Sequence, residues 1–319
     1  MCGEGGAMRE AIKEERNYNP FELAVSVLDN TVDMQEHRLL LHWHQYIEFI
    51  YVLEGEGVLT IDLKDYKVVK GNLIVVSPSS LHGGTGADTN PLICKVILAD
   101  VEMLMGNLKD KIAKRYLSPM LNQTIKIIPI IESGTPLYRE TAILFDQVLE
   151  KWNKQDDGYE LYIKGYLIQM LAALFEAKHY RESAGRSTIK EIEQMKRLIR
   201  FIEEHYSEPL SVERLAQFTG YNRYYFMHFF KMHTGYTVTQ YLNLKRTEYA
   251  ARMLAEQDWS ISEISERTGY QDVSYFIRVF AKRYGITPLV YRKRIRSGIE
   301  ETLFACPQEA VHETPVFPR

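Results

Sequence analysis

A chain of 319 residues, 45% apolar and 25% charged, can bury more than one hydrophobic core, and its length favours two domains. No apolar run approaches the roughly 20 residues that cross a bilayer, the opening MCGEGGAMREAIKEERNYNP lacks the apolar core of a secretory leader, and the odd, scattered Cys2, Cys94 and Cys306 suggest no disulfide framework, so a reducing cytoplasmic location without membrane contact is expected. The net charge of −3 conceals a division: residues 188–296 hold 18 Lys and Arg against 12 Asp and Glu, a net of +6, which leaves −9 for the remainder.

From about Phe21 to Ala99 the sequence consists of short apolar or alternating runs broken by turn residues, the pattern of an antiparallel β-barrel or sandwich. The predicted strands are Leu39 to His44, Glu48 to Leu53, Val58 to Leu63, Leu73 to Val76 and Ile93 to Leu98, with Gly55, Gly57 and Gly71 at the breaks. Side chains alternate along an extended strand, so His42, His44 and Glu48 are expected on one face, toward the barrel interior, with His82 as a fourth member. Three imidazoles and a carboxylate are a ligand set for a divalent first-row metal, while Trp43, Tyr46 and Tyr51 supply rings that suit the apolar faces of a sugar. The spacing His42-x-His44, three residues, Glu48, six residues, Gly55, followed by Gly71, Pro78 and His82, resembles the cupin pattern and implies a β-barrel with a central pocket.

Beyond Ala99 the periodicity turns helical after a short extended piece, IKIIPII. Pro136 to Trp152 aligns Leu137, Leu144, Val148 and Trp152, and Tyr159 to Tyr180 aligns Tyr159, Ile163, Tyr166, Met170 and Leu174, with Asp156-Asp157-Gly158 as the turn between them. Such a pair either packs within the chain or also forms a homodimer contact. The domain boundaries expected are 18–180 for the barrel and its helical dimerisation segment, 181–187 (RESAGRS) for a linker, 188–296 for the basic domain and 297–319 for a frayed tail.

An internal repeat carries the strongest signal. Ser211, Val212, Leu215, Thr219, Gly220 and Tyr221 recur 49 residues later as Ser260, Ile261, Ile264, Thr268, Gly269 and Tyr270. At a spacing of 50, Tyr225, Phe226, Phe230, Gly235 and Thr237 then meet Tyr275, Phe276, Phe280, Gly285 and Thr287. Each copy offers a Ser N-cap, a short amphipathic helix, a turn glycine and a second helix, the parts of a helix-turn-helix motif. The second helices are expected to start after Asn222 and around Asp272, with apolar faces Tyr225, Phe226, Phe229, Phe230 and Tyr275, Phe276, Val279, Phe280. That leaves Arg223, Tyr224, Met227, His228 and Lys231, then Gln271, Asp272, Ser274, Ile277 and Arg278, for double-stranded DNA. A helix over Val238 to Ala255, with Tyr241, Leu242, Ala250, Met253 and Leu254 inward, would hold the two readers about one DNA turn apart.

The stretch ISEISERTGYQDVSYFIRVFAKRYGITPLVYRK resembles the signature of the AraC/XylS family of transcription regulators, and LSVERLAQFTGYNRYYFMHFFKMHTGYTVTQYLNLKRTEYA resembles that family's first motif. Tyr224 and His228 depart from the small polar residues or Arg frequent there. The resemblance implies an α+β chain: a cupin-like barrel, a helical segment, and an all-α domain of two helix-turn-helix motifs joined by a linker helix. It also implies promoter DNA and RNA polymerase as partners, activation as the usual output, and in such sensors a barrel that more often binds a small effector such as a sugar than a metal. The effector set is then His42, Trp43, His44, Tyr46, Glu48 and His82, no cofactor and no catalysis being required. The alternative is a metal-dependent cupin enzyme fused to a DNA-binding domain, with His42, His44, Glu48 and His82 as metal ligands.

Overall fold

The structure, a computed structural model, describes residues 24–32, 39–87, 89–105, 110–183 and 186–297. The opening segment MCGEGGAMREAIKEERNYNP, Cys2, Cys306 and all but Ser297 of the expected tail lie outside the described residues. The chain divides into two compact units, Glu22–Lys196 with the segment from Leu289, and Arg197–Pro288. No described helix is long and apolar enough to cross a membrane.

The first unit is built on two antiparallel sheets. One holds β1 (Val25–Val32), β8 (Leu92–Asp100), β3 (Tyr46–Glu54), β6 (Leu73–Val76) and β10 (Ile130–Ile131) in that order, and the other holds β2 (Leu39–His42), β7 (His82–Gly86), β4 (Glu56–Ile61) and β5 (Lys64–Val69). The larger sheet is covered on both faces, which is why its central strands read as continuous apolar runs. Ile50 and Val52 of β3, Ile74 and Val76 of β6, and Cys94, Val96 and Leu98 of β8 meet Leu59, Ile61 and Val68 of the second sheet. The alternate residues Ile47, Phe49, Tyr51, Leu73, Val75, Ile97 and Ala99 belong to a second core shared with helices.

That helical layer is α3 (Pro136–Lys154) and α4 (Tyr159–Glu176), preceded by the short α1 (Val101–Leu104), a π-helical turn (Ala113–Leu117), α2 (Ser118–Leu121) and β9 (Ile125–Ile127). Thr135 caps α3 by accepting from the Tyr138 N–H, and Pro136 occupies its first turn. Leu144, Phe145, Val148 and Leu149 of α3 join Ile163, Leu167, Met170 and Leu174 of α4 against the sheet. Leu137, Trp152, Tyr159 and Tyr166, expected on the same stripes, are only partly buried at its edge.

Several strands differ from the sequence expectation. The run Val58 to Leu63 does not stay extended: β4 ends at Ile61, and Asp62 and Leu63 turn the chain with φ of 50° and 63°, the left-handed pair of a tight hairpin. β5 and β7 were not foreseen, β5 because its exposed face is polar and β7 because it reads HGGTG. Glycine is what makes β7 a strand here, since a Cβ on Gly86 would lie 1.9 Å from the Val32 carbonyl oxygen. The polar stretch expected as a linker begins in structure: Arg181 and Glu182 belong to β11 (Tyr180–Glu182), which pairs with β9, and a helix begins at Arg186.

The second unit is helical. α5 (Arg186–His205) leads into it, with Met195, Leu198, Ile199 and Ile202 buried at helical spacing, and α6 (Val212–Thr219), α7 (Arg223–Thr234), α8 (Val238–Glu256), α9 (Ile261–Arg267) and α10 (Val273–Tyr284) follow; the last helix, α11 (Pro288–Arg296), is assigned from Leu289 onward to the first unit. Ser211 and Ser260 cap α6 and α9, and Thr237 forms a capping box with Gln240 at α8. Gly269 has φ of 85° in the second turn, and a Cβ there would come within 2.6 Å of the Ser207 carbonyl oxygen. On α8, Tyr241, Leu242, Ala250 and Leu254 are buried as expected, Met253 only partly.

Candidate functional site

The second helices of the two repeats, α7 and α10, are set by local chemistry. Asn222 and Asp272 stand at the N-caps of α7 and α10 and accept from the Tyr225 and Tyr275 N–H groups. Phe226, Phe229 and Phe230 anchor α7, and Phe276 and Phe280 anchor α10. Three further contacts hold the unit around α8. Arg246 donates to the carbonyls of Tyr206 at 2.8 Å and Glu208 at 2.9 Å. Arg283 donates to the Leu244 carbonyl and to Thr247 Oγ1. Lys245, buried, pairs with Glu203 at 3.0 Å. Burial would push its ammonium down, but Glu248, Tyr241 and Glu203 outweigh that and hold it above its usual range.

Of the expected DNA-facing residues, Arg223, Tyr224, Met227, His228 and Lys231 are all exposed, as are Gln271, Asp272, Ser274 and Arg278, while Ile277 is half-buried. Arg223 is held at 3.1 Å by Glu213 of α6. Asp272 is engaged as a cap, a role that explains a carboxylate in this position without any DNA contact. Tyr225 and Tyr275, expected on the apolar face, are instead 49% and 41% exposed, their rings 4.6 Å from Tyr221 and 6.0 Å from Tyr270. The Tyr275 hydroxyl is anchored by the Asn243 side-chain amide at 3.0 Å. Lys282, exposed in the last turn of α10, is a further cation outside the expected set.

The barrel holds a second constellation. His42, His44, Glu48 and His82 each offer one ligand atom, and these atoms lie within 4.8 Å of one another. The grouping matches the sequence expectation but not its reason. The chain is not one extended strand here: β2 ends at His42, residues 43–45 turn, and β3 starts at Tyr46, so His42 and His82 come from one sheet and Glu48 from the other.

His44 Nε2 lies 2.8 Å from Glu48 Oε1 and His82 Nε2 lies 3.6 Å from it. Burial alone would raise the Glu48 carboxyl, but His82 and His44 beside it outweigh that and hold it well below the usual carboxylate range. His42 Nδ1 and His82 Nδ1 lie 2.8 Å and 2.9 Å from the carbonyls of Leu40 and Ser80, so each donates its Nδ1 proton there, which leaves Nε2 as the ligand atom whenever the ring is neutral. His44 Nδ1 is buried without a hydrogen bond. A divalent ion would fit this donor set: backbone carbonyls orient two rings, as outer partners of metal-bound histidines do.

Around the cup, Ser80 donates from Oγ to Asp62 Oδ2 at 3.2 Å, and Lys126 of β9 pairs with the same carboxylate at 2.5 Å, both partners nearly buried. Trp43 and Tyr46 are half-buried, and the Tyr46 and His44 rings lie 5.4 Å apart. Tyr51 is not part of this group: it faces the helices, with its ring 6.1 Å from Phe145, because it sits on the opposite side of β3 from Glu48.

Residues 215–294 match the family described as a helix-turn-helix domain, and residues 31–98 match the cupin domain. The chain is a transcriptional regulator with a helix-turn-helix DNA-binding domain and a cupin domain, and its helix-turn-helix domain is of the AraC type. It is 24% identical over 283 residues to the MmsAB operon regulatory protein of Pseudomonas aeruginosa, covering 83% of this chain and 80% of that protein. It is 24% identical to the HTH-type transcriptional activator RhaR of Escherichia coli, over 79% of this chain and 86% of that one. The regulatory protein PocR of Salmonella typhimurium is 35% identical over 105 residues, 33% of this chain and 35% of that protein. Among solved structures, ToxT from Vibrio cholerae aligns over 85% of this chain and 98% of its own, with a TM-score of 0.40 and 12% identity.

Proposed function

We propose that the chain is a promoter-binding transcription activator whose barrel senses a small ligand at the cup of His42, His44, Glu48 and His82. The observation that carries the sensing role is the convergence of four ligand atoms within 4.8 Å in a barrel whose two sheets meet mainly through aliphatic side chains. Buried polar groups of this density carry a cost that a bound ion or polar ligand offsets. DNA contact is assigned to the exposed faces of α7 and α10, through Arg223, Tyr224, Met227, His228 and Lys231 and through Gln271, Ser274, Ile277 and Arg278, with Asp272 kept for its cap. The names of similar regulators include activators, which supports activation through RNA polymerase as the output.

A divalent ion is the occupant the donor set favours, and when bound it would neutralise Glu48 and offer a Lewis-acid position to an oxygen of a second ligand. A carbohydrate would use the Trp43 and Tyr46 rings at the same mouth. Dimerisation is assigned to α4, where Leu161 is 77% exposed and Gly165, Ile168 and Ala172 continue the same stripe at spacings of 4, 3 and 4 residues.

The test is calorimetric titration of the full chain with zinc, manganese and nickel chlorides and with a monosaccharide panel, each followed by promoter binding. One ion or sugar per chain, lost in His44→Ala and accompanied by a changed DNA affinity, is the expected result. Binding of neither class by a folded protein would end the sensing assignment.

A further inference from the structure

The two readers are chemically unequal. On α7, Tyr224, Met227, His228 and Lys231 fall within one arc of the helix, and Tyr224 is 82% exposed and Met227 37%. Their counterparts 50 residues on are Ser274, Ile277, Arg278 and Ala281. Asn222 is the N-cap, so Tyr224 stands in the first turn of α7, the part of a recognition helix that reaches base edges. A phenol has a single hydroxyl and a thioether a single weak acceptor, so neither can make the bidentate contacts that recognise guanine or adenine. What they do offer is apolar surface, and in the major groove the apolar group is the C5 methyl of thymine.

We infer that Tyr224 and Met227 determine the sequence preference of the first half-site by packing on thymine methyl groups, whereas the second half-site is read by Arg278 on guanine. The inference rests on α7 and α10 being the DNA readers. A nucleic acid suits this patch better than a protein partner because α7 carries no acidic residue and its tyrosine and methionine lie between Arg223 and Lys231. Cationic groups on both sides of an apolar pair place a polyanion's backbone around the point of base contact. Glu213, the acidic group nearest this face by its ion pair, is turned to Arg223 at 3.1 Å.

The experiment selects duplexes from a randomised library with the full chain, then resynthesises the enriched site with deoxyuridine at each thymine in turn and measures affinity by fluorescence anisotropy. Deoxyuridine lacks only the methyl, so wild type is expected to lose about fourfold in affinity per contacted position in one half-site. Tyr224→Ala is expected to abolish that sensitivity, Tyr224→Phe to keep it because the ring remains, and Arg278→Ala to keep it while weakening binding. Circular dichroism checks that each variant folds.

An enriched site without thymine in that half, or a deoxyuridine effect unchanged in Tyr224→Ala, overturns the inference while leaving DNA reading intact. So does a variant with unaltered DNA binding that fails only to activate polymerase in a purified transcription reaction, which would assign the patch to a protein. No enrichment of any sequence overturns the DNA-reader assignment itself and the inference with it.

Discussion

At the scale of single residues, DNA contact falls to side chains that are exposed and not already engaged in capping or packing. Arg278 is exposed on α10 and can fork onto a guanine edge, so Arg278→Ala is expected to cost about 1 to 3 kcal/mol of specific binding in an anisotropy titration and to relax the preference at one base pair. Lys231 is a point charge on α7, and its removal is expected to weaken all sequences alike and lower the salt slope by about one. Asp146, on α3, is pushed up to about 7 by burial. Its protonated form is favoured in the folded state, so the folded chain binds more protons than the unfolded one between about pH 4 and 7, and stability falls as pH rises through that window. Asp146→Asn is therefore expected to raise stability above pH 7 by about 1 to 2 kcal/mol, discounted for partial exposure, and to change little near pH 4, as read from denaturant melts at both pH values.

Elements were legible where sequence pattern and physical cause coincide. The repeat placed α6, α7, α9 and α10 because capping serines, turn glycines and paired phenylalanines are local signals, and Asn222 and Asp272 cap the recognition helices where they were expected. β7 escaped because its strand depends on close approach to β1, visible only in three dimensions, and α5 was legible in its Leu198, Ile199 and Ile202 spacing but not singled out. The histidine cup was found by motif spacing, yet its geometry comes from two sheets meeting, a tertiary fact no alternation rule supplies. The Lys126–Asp62 pair, far apart in sequence and nearly buried, could not be read at all. Lys126→Met leaves Asp62 buried without its cation and is expected to destabilise the barrel unit by about 3 to 5 kcal/mol in thermal or chemical unfolding. On α4, Leu161→Lys with Ile168→Lys is expected to keep the melting temperature within a few degrees but convert a dimer to a monomer in sedimentation equilibrium; a wild-type monomer would remove the α4 interface.

For the whole molecule, charge follows architecture: residues 188–296 carry a net of +6 and hold α7 and α10, the two proposed readers, while the rest carries −9 and holds the cup. A regulator of this kind needs its ligand to favour one DNA-binding arrangement over another, since a ligand indifferent to the two shifts nothing. The central claim is that α7 and α10 read successive turns of one duplex as two different readers. Hydroxyl-radical footprinting of the full chain on its selected site tests this most directly. The account predicts two protected windows about one turn apart on one face of the duplex, the first lost in Tyr224→Ala with His228→Ala and the second lost in Arg278→Ala. A single window, or two windows that both persist in every variant, would contradict it.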